Sequence, residues 1–122
     1  MKPIRLPKAH APVSEVVDPT DPEQRRGVLV VASRDTAVRA VHPGRVTFLG
    51  KTRYGETVVL DHGDRHYTVY ANLHHVEVKF GEVVSHRARL GWVLRFGKKA
   101  PSLYFEVRKG DEPLDARQWL GL

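Results

Sequence analysis

Short runs of β-favouring residues, separated by turn residues, fill this sequence from residue 27 to residue 108. No stretch before Pro113 keeps a helical period over about twelve residues. The turns are specific in kind, because Pro fixes φ, Gly permits positive φ and Asp bonds to its own backbone. They are His42-Pro43-Gly44, Tyr54-Gly55, Asp61-His62-Gly63-Asp64, Phe80-Gly81-Glu82 and Lys109-Gly110-Asp111. The runs cover residues 27–32, 37–41, 45–49, 57–61, 66–71, 89–95 and 103–108, and they predict a small all-β domain of hairpin-linked strands.

The two ends of the chain depart from this pattern. Residues 1–24 carry Pro3, Pro7, Pro12, Pro19 and Pro22 without a sustained apolar period. They predict an extended tail or linker, with the domain occupying residues 25–122. Asp115 stands in an N-cap-like position before residues 116–120, which predicts a short C-terminal helix. A total of 122 residues fits one domain.

Composition narrows the classes of function. Twenty Lys and Arg against fourteen Asp and Glu give a net charge of +6, which suits an anionic partner such as nucleic acid, a membrane surface, cell-wall polymer or an acidic protein. The absence of cysteine excludes disulfides, a thiolate zinc site and a cysteine nucleophile. No apolar stretch approaches the roughly 20 residues of a membrane span, and Met1–Arg5 lacks the apolar run of a secretory signal. We therefore expect neither a membrane span nor a signal peptide in this chain.

Strand alternation assigns side chains to two faces of the predicted sheet. Leu103, Phe105 and Val107 are expected to face the core, and Ser102, Tyr104, Glu106 and Arg108 share the other face. In the strand over 66–71, alternate positions place Tyr67, Val69 and Ala71 on one face and Thr68, Tyr70 and Asn72 on the other. Both strands thus present aromatic and polar side chains together, on a surface where binding can occur.

Several segments, in order along residues 25–122, resemble the LytM (lysostaphin-type) metallopeptidase domain. They are residues 26–30, 36–46, 54–55, 58–63, 70–73, 78–83, 101–108, 113–115 and 119–120. The resemblance implies a LytM, duplicated-hybrid-motif-like antiparallel β-sheet fold with a short C-terminal helix.

The resemblance also implies that the family's chemistry is missing. Active members hold zinc with a His-x-x-x-Asp motif and the second His of a His-x-His pair, and two further histidines serve catalysis. At the matching positions this chain has Arg25, Leu29, Ser102, Tyr104 and Asn72. We therefore expect no enzyme activity, no catalytic residues, no metal and no cofactor.

Such a degenerate domain most resembles the EnvC-type murein hydrolase activators. The resemblance implies a periplasmic or cell-envelope protein that binds a peptidoglycan amidase through its former active-site groove and relieves that enzyme's autoinhibition during cell division. The expected groove residues are Arg26, Leu29, Tyr54, Tyr70, Asn72, Ser102, Tyr104 and Arg108. Two alternatives stay open: a peptidoglycan-binding or scaffolding module without an amidase partner, and an enzyme with a rebuilt metal site.

Other polar residues have simpler interpretations. His62, His66, His74 and His75 fall within fourteen residues, but their spacing favours solvated or hydrogen-bonded histidines over a zinc site. Tyr104 either fills a vacated pocket or projects as a binding anchor. The basic residues Arg87, Arg89, Lys98 and Lys99 are interpreted as a solvated surface. Because they lack interleaved exposed aromatic residues, no nucleic-acid partner is expected.

Overall fold

The computed structural model describes residues 13–24 and 26–120. Within them the chain forms ten strands, a single 3-10 turn at Pro22–Gln24 and one short helix. The strands are β1 (Val13–Val17), β2 (Val28–Ala32), β3 (Thr36–Arg39), β4 (Gly44–Thr52), β5 (Gly55–Gly63), β6 (His66–Leu73), β7 (Val83–Val84), β8 (Arg89–Val93), β9 (Ser102–Lys109) and β10 (Glu112–Leu114), and the helix is α1 (Ala116–Trp119). Each of the seven predicted runs overlaps a strand, and the predicted C-terminal helix is present.

Two antiparallel sheets make up the domain. The large sheet has the order β1-β2-β9-β6-β5-β4-β7, and β10 pairs beside β9. The small sheet consists of β3 and β8. This architecture confirms the predicted all-β fold with a short terminal helix. Among the described residues no helix is long and apolar enough to cross a membrane.

The first strand lies inside the segment that was predicted to be a tail. Val13–Val17 pairs antiparallel with β2 and adds an edge to the large sheet, so this part of the segment is not a free linker. Its five residues are too few to show a pattern without their partner strand. The short strands β7 and β10 were missed for the same reason. Arg25, where the domain was predicted to begin, lies outside the described residues, and that boundary stays a prediction.

The core lies between the inner face of the large sheet and the small sheet. Leu103, Phe105 and Val107 of β9 belong to the hydrophobic core cluster and Tyr104 does not, which confirms the predicted inward face of this strand. The ring of Phe105 packs 5.4 Å from that of Tyr70 on the neighbouring β6. The inner face packs against apolar residues of the small sheet and the terminal helix, namely Val38, Leu90, Val93, Ala116, Trp119 and Leu120.

Helix α1 closes one end of the core. The Asp115 carboxylate accepts a hydrogen bond of 3.0 Å from the backbone N–H of Arg117, as expected for an N-cap. Trp119 is buried, and the rings of His42, His62 and His66 surround it at centroid distances of 5.9–6.3 Å. The helix is therefore held by packing of one indole among three imidazoles.

His62 belongs to a hydrogen-bonded chain that enters the core. Its Nδ1 lies 2.8 Å from the carbonyl oxygen of Pro43 and must donate, and its Nε2 lies 2.6 Å from the Thr68 hydroxyl. That hydroxyl is 3.0 Å from the Tyr70 hydroxyl, which accepts from the Val41 N–H at 3.1 Å. With a neutral imidazole, Nε2 accepts from Thr68 and Thr68 accepts from Tyr70, so every hydroxyl proton is used.

Burial favours the uncharged form of each of these side chains. It lowers the pKa of His62 and of His42, because both imidazolium forms lose hydration. It also raises the pKa of Tyr70 to about 12. All three groups are therefore held in their neutral forms near neutral pH.

We predict that Phe105→Ala lowers the free energy of unfolding by about 3 to 5 kcal/mol, because it leaves a cavity beside Tyr70. Phe80, which is 72% exposed, provides the control, and Phe80→Ala is expected to change stability by less than about 0.5 kcal/mol. Urea denaturation of both variants measures the difference. Equal stability of the two variants would contradict the assigned core.

We predict that the domain loses stability in mild acid. Histidine in the unfolded chain titrates near pH 6.5, and burial lowers the folded pKa of His42 and His62, so the unfolded state binds more protons below that pH. The stabilisation is complete above about pH 6.5 and is lost as pH falls toward the folded pKa values. Melting temperatures near pH 7.5 and pH 5.5 measure this loss. His62→Gln is expected to reduce the difference, whereas His75→Gln at an exposed position is expected to retain it.

Candidate functional site

The outer face of the large sheet carries a groove, whose floor comes from facing positions on β4, β5, β6 and β9. Thr57, Ala71 and Tyr104 are successive cross-strand partners in one row of this floor. The next row consists of Phe48, Val59, Val69 and Glu106, and Arg108 stands one row further along β9. The walls are Arg53 and Tyr54 of the β4–β5 turn and Glu23 and Arg26 ahead of β2, and the Glu23 carboxylate bonds to both Arg53 and Tyr54.

Tyr104 is part of the packed floor rather than an exposed anchor. It is only 3% exposed, and the Tyr54 ring covers it at a centroid distance of 5.7 Å. Its hydroxyl donates a 2.7 Å hydrogen bond to Oε2 of Glu106. Burial, followed by this hydrogen bond, raises the pKa of the Tyr104 phenol. Of the two interpretations left open above, filling of the pocket is the one that the geometry supports.

Glu106 is the charged centre of the floor. The residue is 2% exposed, yet both carboxylate oxygens are bonded, Oε2 by Tyr104 and Oε1 by Nε of Arg108. The hydrogen bond to Glu106 raises the pKa of the Arg108 guanidinium. A buried carboxylate is tolerated when it is paired and hydrogen-bonded in this way. Because both oxygens are occupied, Glu106 is poorly placed to act as a general base.

The groove brings together Arg26, Tyr54, Tyr104 and Arg108 of the eight predicted residues. Arg26 is exposed and donates from its guanidinium to the Asp111 carbonyl at 2.5 Å.

Three further predicted residues border the groove without lining it. Leu29 is the cross-strand partner of Tyr104 on β2 and is half-buried. Asn72, in a left-handed conformation with φ 70°, donates from its amide to the Ser102 carbonyl at 2.7 Å.

The assignment of Tyr70 to the groove was wrong. The register pairs Tyr70 with Phe105, so its side chain faces the core, and it is completely buried. Cross-strand partners share a face, and Ala71, not Tyr70, stands beside Tyr104. The alternation of side chains along β6 was predicted correctly. Which face of β6 lies beside Tyr104 of β9 depends on the register between the two strands, and a single sequence does not give that register.

The positions that the resemblance assigns to zinc do not fit a zinc ion. Leu29 offers no ligand atom, the Asn72 amide is bonded to Ser102, and the Tyr104 phenol is bonded to Glu106. Zinc in proteins is held by imidazole, thiolate or carboxylate groups. Across residues 13–24 and 26–120, no three His, Asp or Glu side chains come close enough to hold a metal ion. Arg25 lies outside the described residues. The equivalence of Arg25, Leu29 and Tyr104 to the family's zinc ligands, and of Asn72 and Ser102 to its catalytic histidines, stays a prediction.

Glu106 and Phe48 were missed as groove residues. Alternation already placed Glu106 on the same face as Tyr104 and Arg108, which was the available signal. Phe48 reaches the groove because a β-bulge lies between Val46, which faces the core, and Phe48, which pairs with Val59. A bulge moves the following residues to the opposite face, and nothing in the local sequence marked its position.

Comparison with known proteins adds to this geometry. Residues 23–116 match the peptidase family M23. The murein hydrolase activator EnvC of Escherichia coli (strain K12) is 32% identical over 98 residues, which are 79% of this chain and 23% of that protein. The chain spans less than a quarter of the length of the curated relatives that it matches.

Solved structures share the fold. The catalytic domain of the antimicrobial peptidase lysostaphin from Staphylococcus simulans superposes with a TM-score of 0.68 at 25% identity, covering 80% of this chain and 79% of that one. A zinc-containing peptidase from Vibrio cholerae has a TM-score of 0.71 at 24% identity, covering 93% of this chain and 38% of that one. The second likeness supports the fold alone.

We predict that Tyr104→Phe lowers the free energy of unfolding by about 1 to 3 kcal/mol, because Oε2 of the buried Glu106 loses its hydrogen-bond donor. The control is Tyr67→Phe. It removes a hydroxyl from a half-buried tyrosine that lies on β6, on the same outer face of the large sheet. Chemical denaturation compares the two variants. A Tyr104→Phe protein as stable as wild type would show that the phenol contributes only volume.

Proposed function

This chain belongs to peptidase family M23, and from that premise we propose that it is a non-catalytic murein hydrolase activator. It binds a peptidoglycan amidase through the groove and relieves the autoinhibition of that enzyme during cell division. Its place is the periplasm or cell envelope. The similarity to a named murein hydrolase activator over 79% of the chain supports this choice within the family.

One observation carries the proposal most directly, namely the internal bonding of the groove floor. Tyr104, Glu106 and Arg108 use their polar atoms on one another, so the floor offers neither a free nucleophile nor a free general base. Hydrolysis of a peptide bond needs such a group or a metal-bound water. A groove that keeps its shape without these groups is suited to binding.

The exposed parts of the groove have the chemistry of a protein-binding surface. Tyr54 stands at the rim with the Arg53 guanidinium 5.5 Å from its ring centroid. Arg26 is exposed on the other wall, and Phe48 is 41% exposed at the far end. Aromatic residues and arginine dominate the energetic hot spots of protein interfaces. We therefore assign partner contact to these rim residues and a supporting role to the floor.

A peptidoglycan-binding or scaffolding role without an amidase partner is the second candidate. It is favoured by the three arginines at the groove, Arg26, Arg53 and Arg108, against two carboxylates, Glu23 and Glu106. Peptidoglycan peptides are anionic, and this surplus of positive charge would attract them.

The proposal predicts that the purified chain raises dye release from labelled peptidoglycan by its cognate amidase. Arg26→Glu and Tyr54→Ala are each expected to weaken amidase binding at least tenfold. Arg26→Glu is expected to retain folding because Arg26 is exposed, and the melting temperature of Tyr54→Ala is measured beside its affinity because this change uncovers Tyr104. Lys109→Glu is the matched control, since it reverses an exposed charge on β9 next to Arg108 but outside the groove. Arg108→Glu is less informative, because it would face Glu106 with a second carboxylate.

The proposal would be contradicted if the wild-type chain did not bind the amidase and did not raise its release of dye. If the chain instead sediments with purified sacculi and the two rim variants reduce that binding, the scaffolding candidate takes its place. A loss with Lys109→Glu equal to the loss with Arg26→Glu would mean that net charge, and not the groove, determines binding.

A further inference from the structure

The whole net positive charge of this chain lies in one part of the fold. Residues 33–40 and 85–100, which form the small sheet and its flanking loops, hold seven of the twenty Lys and Arg and one of the fourteen Asp and Glu. Their net charge of +6 equals that of the entire chain, and the other residues carry thirteen charges of each sign. Outside these two ranges, the residues that the structure describes hold nine Lys and Arg against thirteen Asp and Glu, so the small sheet is a basic unit on an otherwise acidic part of the fold.

Six of these basic residues are exposed, and we call them the basic face. They are Arg34, Arg39, Arg89, Arg95, Lys98 and Lys99. The apolar side chains of the small sheet, Val38 and Val93, are buried in the core. None of the six residues lines the groove on the large sheet.

The middle of the basic face is ordered by its own contacts. Arg39 and Arg89 are cross-strand partners, and the Arg89 guanidinium lies 5.6 Å from the ring centroid of Trp92. Arg89 also pairs with Glu77 at 2.6 Å, which leaves Arg39 to extend the positive potential across the sheet.

Two loops at one end of the small sheet are fastened together by Arg95. Its backbone N–H donates to the Asp35 carboxylate at 2.6 Å, and its guanidinium donates to the Ser33 carbonyl at 2.9 Å. The following turn is closed by a hydrogen bond of 3.2 Å from the Lys99 N–H to the Phe96 carbonyl. The tip of this loop is therefore built before any ligand arrives.

Phe96 stands at this tip and is 61% exposed. Its ring has a contact with His74, at a centroid distance of 5.0 Å. Arg95 precedes it, and Lys98 and Lys99 follow within three residues. An exposed phenylalanine among cations is the aromatic element that was missing when these lysines were interpreted as a solvated surface.

We propose that the basic face docks on an anionic lipid bilayer. Phe96 enters the boundary between headgroups and acyl chains, and Lys98, Lys99 and Arg34 face the lipid phosphates. Cations beside an aromatic side chain are the pattern of interfacial membrane contacts, since the charges attract anionic headgroups and the ring finds an apolar phase. A soluble polyanion that has no apolar or stacking group would satisfy the charges but would leave Phe96 in water.

The expected attachment is weak and reversible. Each basic residue near an anionic surface contributes roughly fivefold in affinity. A few such residues and one aromatic ring bind a membrane weakly and transiently. Docking therefore strengthens other contacts by raising the local concentration of the domain at the membrane. The proposal is independent of the amidase partner, because none of the residues of the basic face lines the groove.

Flotation of the full chain with vesicles tests the proposal. Vesicles of phosphatidylglycerol mixed with phosphatidylcholine are expected to carry the protein upward at low salt, and vesicles of phosphatidylcholine alone are not. The double variant Lys98→Glu and Lys99→Glu is expected to lose at least tenfold in partitioning. Phe96→Ser is expected to lose about threefold to tenfold, with an unchanged melting temperature because the ring is exposed.

Matched controls distinguish binding by the basic face from an effect of net charge and from nonspecific hydrophobic adsorption. Lys51→Glu combined with Lys109→Glu changes the net charge by the same amount at exposed positions on the large sheet. Phe80→Ser removes another exposed phenylalanine. Both controls are expected to bind vesicles as wild type does.

Three results would overturn the proposal. They are absence of binding to the anionic vesicles, equal losses in the control and test variants, and a dependence on Lys98 and Lys99 that appears with purified sacculi but not with vesicles. The last result would assign the basic face to wall polymer. Amidase activation plays no part in the assay, so its failure and the failure of the proposed function are distinguishable.

Discussion

Strand β9 is the element on which the rest of the structure depends. It pairs with β2 and β10 along one edge and with β6 along the other, so it connects the two halves of the large sheet. Its two-residue alternation sends Phe105 and its neighbours into the core and sends Tyr104 and Glu106 to the groove floor. The groove floor is therefore the reverse side of the core, and a shift of one residue in β9 would exchange the two.

Much of this arrangement was predictable from the sequence, because period-two alternation and turn chemistry are local signals. Seven of the ten described strands, the N-cap at Asp115 and the two faces of β9 follow from them, whereas the short strands β1, β7 and β10 do not. The errors concern relations between strands. The register of β6 against β9 places Tyr70 in the core, and the bulge in β4 brings Phe48 to the groove. The burial of Glu106 depends on two partners on its own strand and on cover from elsewhere, which no local pattern records.

The ionic cluster in the floor orders the groove through bonds between side chains. A zinc ion holds several strands by its coordination bonds. Here Tyr104, Glu106 and Arg108 bond to one another along a single strand, and Tyr54 covers them from the β4–β5 turn. Replacing one member would leave a buried charge without its partner, so the three residues stabilise the floor as a unit. A floor whose polar groups are bonded to one another loses little conformational entropy in any association that the groove makes.

The short pairing between β4 and β7 has a consequence for solubility. Within the described part of the chain, β7 pairs only with Gly44 and Arg45 of β4, so the nine-residue strand continues beyond its outer neighbour. A strand edge of this kind is a template on which a second molecule can add a strand and begin an aggregate. The bulge after Val46 twists this edge, and Lys51 places a charge on it. Both features oppose flat pairing between copies, and they allow the rim of the groove to stay accessible to a partner while self-association is suppressed.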